Sequence, residues 1–396
     1  MGPSVSQIIP RQDFLPFNLP SIGPEEEAEI LDTLRSGWLT TGPKTRQFEE
    51  EFAAYTGCPN AIALNSCTAA LHVAMVAAGL GPGDEVITPS LTFPSATNEM
   101  IHEGIHPVLV DVEPDTLNLD VARVEERITA RTRAIVPVHF AGHPVEQDRL
   151  QELARQHGLL ILGDAAHATE SRFRARHVSQ WEDATAYSFY ATKNLCTGEG
   201  GMLTAASREL AEKARLLSLH GMSRDAWKRY TEEGYKHWDI VVPGFKYNMP
   251  DLQACLGIHQ LRKLPEFTRR REQLTLAYDD AFSDLSALLA PLRRRPYVES
   301  AYHLYVVCVK TENLKAGRDE ILNQIQSYNI GVGVHFRAVH LHSWYRSHFG
   351  YREGMLPHTE YAGDRVISLP LYPAMTDEDQ AYVIEVVRSI LLRHRR

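Results

Sequence analysis

The sequence predicts an α/β fold, with a mainly parallel central sheet in a large domain and a smaller C-terminal α/β domain. Five short apolar segments, "AIALN", "EVITP", "PVLVDV", "RAIVPV" and "LLILGD", alternate with helical or loop stretches. Strands buried on both faces have this composition, and the alternation implies right-handed crossovers between parallel strands. With 396 residues, 44% of them hydrophobic, the chain can bury a sizeable core and is long enough for two domains.

Two helices are predicted before the alternating segments, after an N-terminal arm of residues 1–24. The stretches "PEEEAEILDTLRSG" and "PKTRQFEEEFAAYTG" each begin with proline and end with glycine, the usual punctuation of a helix. Further helices, such as "CTAALHVAMVAAGL" and "PVEQDRLQELARQHG", connect the predicted strands. Residues 25–265 are therefore assigned to the large domain.

The pattern changes after about residue 265. A long charged helix is predicted from Glu266 towards Leu289, followed by strands near "YHLYVVCV" and "IGVGVHF" and by a terminal helix after Met375. These elements predict a second, smaller domain over residues 266–396.

Charge and composition exclude several classes of protein. The formal net charge of -9 disfavours binding to nucleic acid, because the summed field repels phosphate backbones. Five dispersed cysteines without a C-x-x-C pair favour a reducing compartment, the cytoplasm, over a disulfide framework or a cysteine-rich zinc site. Because no apolar run approaches the roughly 20 residues of a membrane span, we expect no membrane partner.

Polar residues follow two of the predicted strands, where ligands bind in open α/β sheets. Ser66, Cys67 and Thr68 begin a helix whose free N–H groups and hydroxyls suit a phosphate, although simple helix capping explains the same residues. Asp164 directly follows a buried strand, and His167 lies three residues later. A carboxylate there needs a cation or a strong donor, although an aspartate that caps the next helix is the alternative.

A lysine lies in an apolar setting in "SFYATKNLCTGEGG". Burial disfavours the charged form of Lys193, and a neutral amine can attack a carbonyl as a Schiff-base lysine does. A lysine that snorkels or pairs with Glu199 is the alternative. The combination of a phosphate-type helix start, Asp164 and Lys193 meets the three demands of pyridoxal 5'-phosphate (PLP): phosphate donors, a carboxylate for the ring nitrogen and an amine for the aldehyde.

Over nearly its full length the chain resembles the DegT-type sugar aminotransferases, PLP enzymes of the aspartate aminotransferase fold. The markers are "SGWLTTGPKTRQFEEEFAAYTG", "GDEVITPSLTFPSATN", "DAAHA", "SFYATKNLCTGEGG" and "PGFKYNMPDLQACLGIHQL". The resemblance implies PLP-dependent transferase fold type I. Within the family, "FLPFNLPSIG", "VITPSLTF", "GVGVHFRAVH" and "LPHTEYAGDRVISLPLYP" are similar to the branch that makes UDP-4-amino-4-deoxy-L-arabinose.

The resemblance also implies a role for each residue of the site. Lys193 would hold the cofactor and move the proton of the reaction, and Asp164 would keep the pyridine nitrogen protonated. The other cofactor contacts would be Phe93 stacked on the ring, His167 near the ring hydroxyl, Ser66, Cys67, Thr68 and Ser188 around the phosphate, and Asn248 from the neighbouring subunit. A site shared in this way makes a homodimer obligatory.

The implied reaction transfers the amino group of L-glutamate to the keto carbon, expected at C4, of a nucleotide-linked sugar, with ping-pong kinetics. A C3-keto sugar nucleotide or a keto-cyclitol is an alternative acceptor. A related branch dehydrates sugars instead, but there the lysine is typically replaced by histidine, and Lys193 counts against it. A purely binding module is disfavoured by the complete set of cofactor residues.

The stretch "GVGVHFRAVHLHSWYRSHF" holds four histidines, at positions 335, 340, 342 and 348. A metal site is an alternative, but the spacing follows no standard zinc pattern and the run has no acidic residue. The resemblance instead implies that the segment closes over the sugar, with His335 and Arg337 as polar contacts. His340 and His348 are equally explained as packing residues.

Overall fold

A computed structural model describes residues 8–223 and 239–396. The first seven residues of the predicted N-terminal arm lie outside the described residues. In these two stretches, none of the helices combines the length and the apolar character that crossing a bilayer requires.

The α-helices of the described chain carry the labels α1 to α12. Their bounds are α1 Pro24–Ser36, α2 Pro43–Thr56, α3 Cys67–Ala77, α4 Ser95–His102, α5 Val121–Glu125, α6 Gln147–His157, α7 Arg208–Ser218, α8 Asp251–Phe282, α9 Arg318–Gln326, α10 Ser343–Phe349, α11 Pro357–Gly363 and α12 Asp377–His394.

The strands carry the labels β1 to β13. Their bounds are β1 Asn60–Leu64, β2 Glu85–Pro89, β3 His106–Val110, β4 Thr132–Ile135, β5 Leu160–Asp164, β6 Arg172–Phe173, β7 Arg176–His177, β8 Ala184–Ser188, β9 Gly201–Ala205, β10 Leu289–Pro291, β11 Val298–Glu299, β12 Tyr305–Val309 and β13 Val366–Leu369.

The central sheet has seven strands in the order β1-β9-β8-β5-β4-β2-β3. Strand β9 runs antiparallel to both of its neighbours, β1 and β8, while the other pairs are parallel. The fold class predicted from the alternating segments, a large mainly parallel sheet in an α/β protein, is therefore confirmed. Two small antiparallel sheets, β10-β12-β13 and β11-β6-β7, complete the strand pairing.

The predicted proline and glycine ends of the first two helices are confirmed. Helices α1 and α2 begin at Pro24 and Pro43, and each ends before a glycine in the left-handed conformation, Gly37 (φ 75°) or Gly57 (φ 70°). An N-terminal proline loses no intrahelical hydrogen bond, and a glycine adopts the left-handed cap without a steric penalty.

Two predictions for the second half of the chain are wrong in their details. Helix α8 begins at Asp251 rather than Glu266 and continues past Pro265 without a break. The "IGVGVHF" stretch is not a strand, because only Ile330 and Gly333 form isolated bridges, to Leu15 and Ser368. The predicted strand at β12 and the terminal helix α12 are both present.

Helix α8 contributes to two apolar cores. Its first half packs Ile258, Leu261 and Leu264 into a cluster that holds Phe48 of helix α2. Its second half joins a cluster formed by β10, β12, β13, α9 and α12, to which it gives Leu274, Tyr278 and Phe282. The predicted domain boundary at residue 265 lies inside this helix and stays a prediction.

Candidate active site

Three strands of the central sheet carry the predicted site residues to one edge. Gly201, the first residue of β9, pairs with Leu64 on one side and with Ser188 on the other. Asp164, the last residue of β5, pairs with Ala186 of β8. Because β1, β5 and β8 point the same way, the segments after Leu64, Asp164 and Ser188 all leave the sheet at this edge.

A close backbone approach fixes the start of helix α3 against β9. A Cβ atom placed on Gly201 would lie 2.4 Å from the carbonyl carbon of Ser66 and 2.6 Å from the backbone nitrogen of Cys67. Only glycine leaves room for this contact. The first turn of the helix therefore lies directly against the end of the strand that pairs with Ser188.

The first turn of helix α3 combines a capped serine with free backbone donors. Ser66 Oγ accepts a hydrogen bond from the N–H of Ala69 at 3.1 Å, so the capping alternative holds for this hydroxyl. The N–H groups of Cys67 and Thr68 have no intrahelical partner by helix geometry, and they lie at the positive end of the helix dipole. An anion is stabilised at such a position.

Asp164 is a buried carboxyl group at the centre of the edge. Its Oδ1 atom accepts the N–H of Ala166 at 3.0 Å and lies 4.0 Å from Cys67 Sγ. Burial raises the pKa of Asp164, while the Ala166 hydrogen bond and the positive charge of Lys193 oppose the rise. Asp164 is thus suited to face a cation, which would offset the free-energy cost of its burial.

A buried contact between a histidine and a glutamate, which the sequence did not reveal, lies behind Asp164. The backbone N–H of His139 donates to the carbonyl oxygen of Asp164 at 3.1 Å, and His139 Nε2 lies 2.9 Å from Glu182 Oε1. Both side chains are fully buried. The Glu182 carboxylate also accepts hydrogen bonds from Gln147 and Thr185. These bonds hold the end of β5 in one position.

Lys193 lies in the connection between β8 and β9, five residues after Ser188. Burial lowers the pKa of Lys193 to about 8, against the opposing effects of Cys67 and Asp164. Within the described residues no ion pair joins Lys193 to Glu199, the alternative partner expected from the sequence. Near physiological pH most of this amine is still protonated, but the neutral, nucleophilic form is far more populated than in an ordinary lysine.

Two buried histidines, His167 and His303, and the partly buried His335 surround the same region. The rings of His167 and His303 lie 4.4 Å apart between centroids, and those of His167 and His335 lie 6.4 Å apart. Burial lowers the pKa of all three, that of His335 to about 4. His167 Nδ1 accepts the N–H of Ala141 at 3.3 Å, which leaves the proton of the neutral ring on Nε2. His303 was not identified from the sequence.

The remaining residues implied by the resemblance lie on several segments. Phe93 is a 61% exposed aromatic ring whose centroid lies 6.2 Å from that of Phe336. His335 Nδ1 lies 2.8 Å from Ser368 Oγ, and the exposed Arg337 donates to the carbonyl oxygen of Leu341 at 3.3 Å. Both side chains thus have partners within the chain, and their role towards a substrate stays a prediction.

His340, by contrast, has the environment of a packing residue. It is buried, and its two nitrogens lie 2.8 Å from Ser90 Oγ and 3.0 Å from Glu360 Oε1. These contacts agree with the packing alternative that the sequence left open for this histidine.

Asn248 lies close to the start of helix α3 in its own chain. Its backbone forms a bridge with Leu64, and its Nδ2 atom donates to Thr41 Oγ1 at 2.6 Å. Thr41 Oγ1 in turn donates to the carbonyl oxygen of Met249 at 2.6 Å. These bonds fix the orientation of the Asn248 amide, while its expected contact with a neighbouring subunit stays a prediction.

Residues 20–388 match the sequence pattern of the DegT/DnrJ/EryC1/StrS aminotransferase family. The spore coat polysaccharide biosynthesis protein SpsC of Bacillus subtilis (strain 168) is 49% identical over 382 residues, which are 96% of this chain and 98% of SpsC. The sugar aminotransferase candidate Spr1654 from Streptococcus pneumoniae, solved in its pyridoxamine-phosphate (PMP) form, has a TM-score of 0.89 at 33% identity and covers 96% of this chain and 98% of its own. Its PLP form has the same TM-score and identity. PseC of Helicobacter pylori, an aminotransferase involved in pseudoaminic acid biosynthesis, has a TM-score of 0.89 at 27% identity, with 96% of this chain and 100% of its own covered.

Proposed function

This chain belongs to the DegT/DnrJ/EryC1/StrS aminotransferase family and is a PLP-dependent sugar aminotransferase, and we propose that it transfers the amino group of L-glutamate to a nucleotide-linked keto-sugar. The keto group is at C4 in this proposal, as in the branch that makes UDP-4-amino-4-deoxy-L-arabinose. The products are an amino-deoxy-sugar nucleotide and 2-oxoglutarate.

The residues at the edge of the sheet fit PLP chemically. The free N–H groups at the start of helix α3 suit its phosphate, and the buried carboxyl group of Asp164 suits a protonated pyridine nitrogen. The amine of Lys193, with its pKa lowered to about 8, suits an aldehyde. The exposed ring of Phe93 offers a flat apolar surface for stacking. Each part of the cofactor therefore has a matching group.

We assign the roles as follows. Lys193 holds the cofactor and, once released by the amino donor, removes and returns the proton at the reacting carbon. Asp164 keeps the ring nitrogen cationic, and Ser66, Cys67, Thr68 and Ser188 surround the phosphate. The Nε2–H of His167 would donate to the ring hydroxyl of the bound cofactor. When bound, PLP supplies the aldehyde for amine exchange and an electron-withdrawing ring.

One observation carries the proposal: a lysine whose pKa burial lowers to about 8 lies beside a buried carboxyl group at the end of a strand. Two supporting arguments concern the sugar. The relative SpsC is named for polysaccharide biosynthesis, and Arg337 is an exposed guanidinium near His335 that suits the diphosphate of a nucleotide sugar.

We also propose that the enzyme works in the cytoplasm as a homodimer with shared sites. Asn248 would then contact the phosphate of the neighbouring subunit's cofactor. The place of Asn248 beside Leu64, next to the start of helix α3, supports a role near a cofactor phosphate. The five cysteines are all free, which is consistent with a reducing compartment.

The visible absorption spectrum of the purified holoenzyme tests the amino donor. Adding L-glutamate without sugar should replace the long-wavelength band by the shorter-wavelength band of PMP. The Lys193→Ala variant should show neither band change nor turnover, whereas Lys213→Ala, an exposed lysine on helix α7, should behave as wild type. A band that ignores L-glutamate would contradict the proposed donor.

The acceptor needs a separate experiment with the PMP form. We would supply a C4-keto sugar nucleotide, a C3-keto sugar nucleotide and a keto-cyclitol in turn, and identify the products by mass spectrometry and NMR. The proposal expects amination of the C4-keto sugar nucleotide at the highest kcat/KM. Preferential amination of either other acceptor would overturn the assignment while leaving the donor result intact.

A further inference from the structure

Glu170 is a buried carboxyl group that the proposed reaction does not use. It lies six residues after Asp164, and its Oε1 atom accepts hydrogen bonds from Asn194 Nδ2 at 2.9 Å and from Thr268 Oγ1 at 3.2 Å. Its other oxygen, Oε2, is buried and has no hydrogen-bond partner among the residues that the structure describes. A buried carboxyl group with one oxygen unpaired is costly, so its retention calls for a reason.

Asn194, the residue next to Lys193, connects Glu170 to the histidines of the site. Its Nδ2 atom donates both to Glu170 and to the carbonyl oxygen of Ala301 at 2.7 Å. Its Oδ1 atom lies 3.0 Å from His303 Nδ1. Because an amide oxygen only accepts, His303 carries its proton on Nδ1. By fixing the amide of Asn194, Glu170 therefore fixes the position of the chain directly after Lys193. The same amide fixes the orientation and the tautomer of the His303 ring.

The connection continues to His167. The ring of His303 lies against that of His167, with 4.4 Å between centroids and 34° between planes. Movement of His303 would displace this ring, to which the proposed function gives a contact with the ring hydroxyl of the cofactor. A path of direct contacts thus runs from Glu170 through Asn194 and His303 to His167, in addition to the covalent link from Asn194 to Lys193.

A buried cation completes the surroundings of Glu170. Arg271 of helix α8 is almost fully buried, and its guanidinium donates to the carbonyl oxygens of His303 at 3.2 Å and Leu371 at 2.8 Å. Within residues 8–223 and 239–396, its Nε atom has no hydrogen-bond partner. Arg271 thus holds the backbone of the same histidine whose ring Asn194 orients.

We propose that Glu170 is a positioning residue for the reaction centre, and that its carboxylate, through Asn194 and His303, holds Lys193 and His167 in their working arrangement. This inference rests on the proposed roles of Lys193 and His167. It adds a residue that contacts neither substrate nor cofactor and acts through its neighbours.

The charge of Glu170 determines how firmly Asn194 is held. A hydrogen bond to a carboxylate is roughly twice as strong as one to a neutral acceptor. Burial raises the pKa of Glu170 to about 7, although Asn194 and Arg271 lower it in part. As the pH rises through neutrality, Glu170 therefore ionises and holds Asn194 more firmly. The titratable and charged groups around this pocket are Tyr55 of helix α2, Arg172 of β6, Arg271 of helix α8 and His303.

The test compares the wild-type holoenzyme with Glu170→Gln between pH 6 and 9. Glutamine keeps an oxygen for Asn194 but cannot ionise. Titration of Lys193 affects both proteins alike, whereas a further rise in kcat through about pH 7 should be present in the wild type and absent from the variant, so that the kcat of the variant is roughly five-fold lower at pH 8 and similar at pH 6. The KM for L-glutamate should change by less than about two-fold, because Glu170 does not contact the amino donor.

A spectroscopic readout separates positioning from a loss of activity by other routes. The visible circular dichroism of bound PLP, normalised to cofactor content, reports the geometry around the ring. In the wild type it should change between pH 6 and 8, and in Glu170→Gln it should stay at the wild-type value for pH 6. A pH dependence of kcat and dichroism that is the same in both proteins would overturn the proposal.

One further variant serves as a control, and another is a second test of the role of Glu170. Glu49→Gln changes another buried glutamate, which bonds to Ala63 and Arg215 and has no contact with Asn194, so its pH profile should match that of the wild type. Thr268→Val removes one donor to Glu170 and should move the rise in kcat to higher pH, even if Glu170→Gln does not fold. An unmoved rise would contradict the proposal. Full activity of Lys193→Ala would instead refute the proposed function, whatever the Glu170 variants show.

Discussion

At the scale of single residues, the burial that makes Lys193 reactive also lowers the free energy of unfolding. Its pKa falls from the usual 10.5 to about 8 through burial. Below pH 8 the folded protein therefore holds a charge that the unfolded chain would solvate better. This penalty is present in full below pH 8 and disappears as the pH rises to 10.5, because the unfolded state binds more protons in that interval.

Removing this amine should therefore stabilise the cofactor-free protein. We expect Lys193→Met to raise the free energy of unfolding at pH 7 by about 2 kcal/mol, given about 1.4 kcal/mol for each pKa unit and a side chain that is only partly buried. Urea unfolding at pH 7 and pH 10 measures the effect, which should be smaller at pH 10. Lys213→Met on the exposed face of helix α7 is the control and should change little. A destabilised Lys193→Met protein at pH 7 would show that Lys193 is not under this penalty.

Asp164 leads to a second prediction at this scale. Asp164→Asn keeps an oxygen for the N–H of Ala166 but removes the charge that would face the ring nitrogen. We expect weaker retention of PLP and a kcat lower by roughly 100-fold or more, the range typical of a lost catalytic proton interaction. Equilibrium dialysis and single-turnover kinetics with L-glutamate measure both effects. Asp183→Asn, which removes a carboxylate at the opposite end of the same strand pair, should leave both near wild type.

The site residues differ in how much the sequence reveals about them. Asp164 and Lys193 were identified because each is a polar residue in an apolar segment, a local conflict that burial makes costly. Glu170, His139 and His303 were missed. Each becomes informative only through partners distant in sequence, such as Asn194 with His303 and His139 with Glu182. Single-chain patterns do not encode such pairings.

At the scale of elements, the hydrophobic pattern, with the prolines and glycines that mark helix ends, predicted the strands that alternate with helices. It did not predict β8 and β9, the two strands that flank the connection containing Lys193. Strands β8 ("ATAYS") and β9 ("GMLTA") contain alanine or glycine, which are depleted in strands, and they lack the valine or isoleucine found in each of the predicted strands, so pairing with their neighbours determines their conformation. The helix predicted from Glu266 in fact begins at Asp251 and includes Pro265. Packing of α8 against two apolar cores outweighs the hydrogen bond that a proline removes.

The contact between strand β9 and helix α3 yields a prediction for a whole element. Gly201→Ala places a methyl group within 2.6 Å of the backbone of Ser66 and Cys67, so the helix must move away from the strand. We expect a loss of about 1–3 kcal/mol in stability and a lower affinity for PLP. Calorimetry of the cofactor-free protein and a PLP titration measure the two effects. Gly81→Ala, where a methyl group meets no atom within 4 Å, is the matched control, and equal behaviour of the two variants would refute the argument.

At the scale of the whole molecule, a shared site predicts complementation between inactive subunits. In a mixed dimer of Lys193→Ala and Asn248→Ala subunits, one site combines both defects and the other has neither. Random pairing of equal amounts should therefore recover about a quarter of the wild-type activity. Co-expression with two different affinity tags isolates the mixed dimer for assay. Activity no higher than that of either parent would contradict a site built from two chains.

Helix α8 also constrains the order in which the newly made chain can mature on the ribosome. The core around Phe48 requires Ile258, Leu261 and Leu264, which are synthesised some 200 residues after Phe48 itself. Gly257 lies so near that a Cβ there would be 2.5 Å from the Phe48 ring, so helix α8 packs directly on this ring. Until α8 has left the exit tunnel, this face of the nascent sheet stays open. A chain that stalls before residue 251 would therefore expose this apolar surface to chaperones and would not form a folded domain.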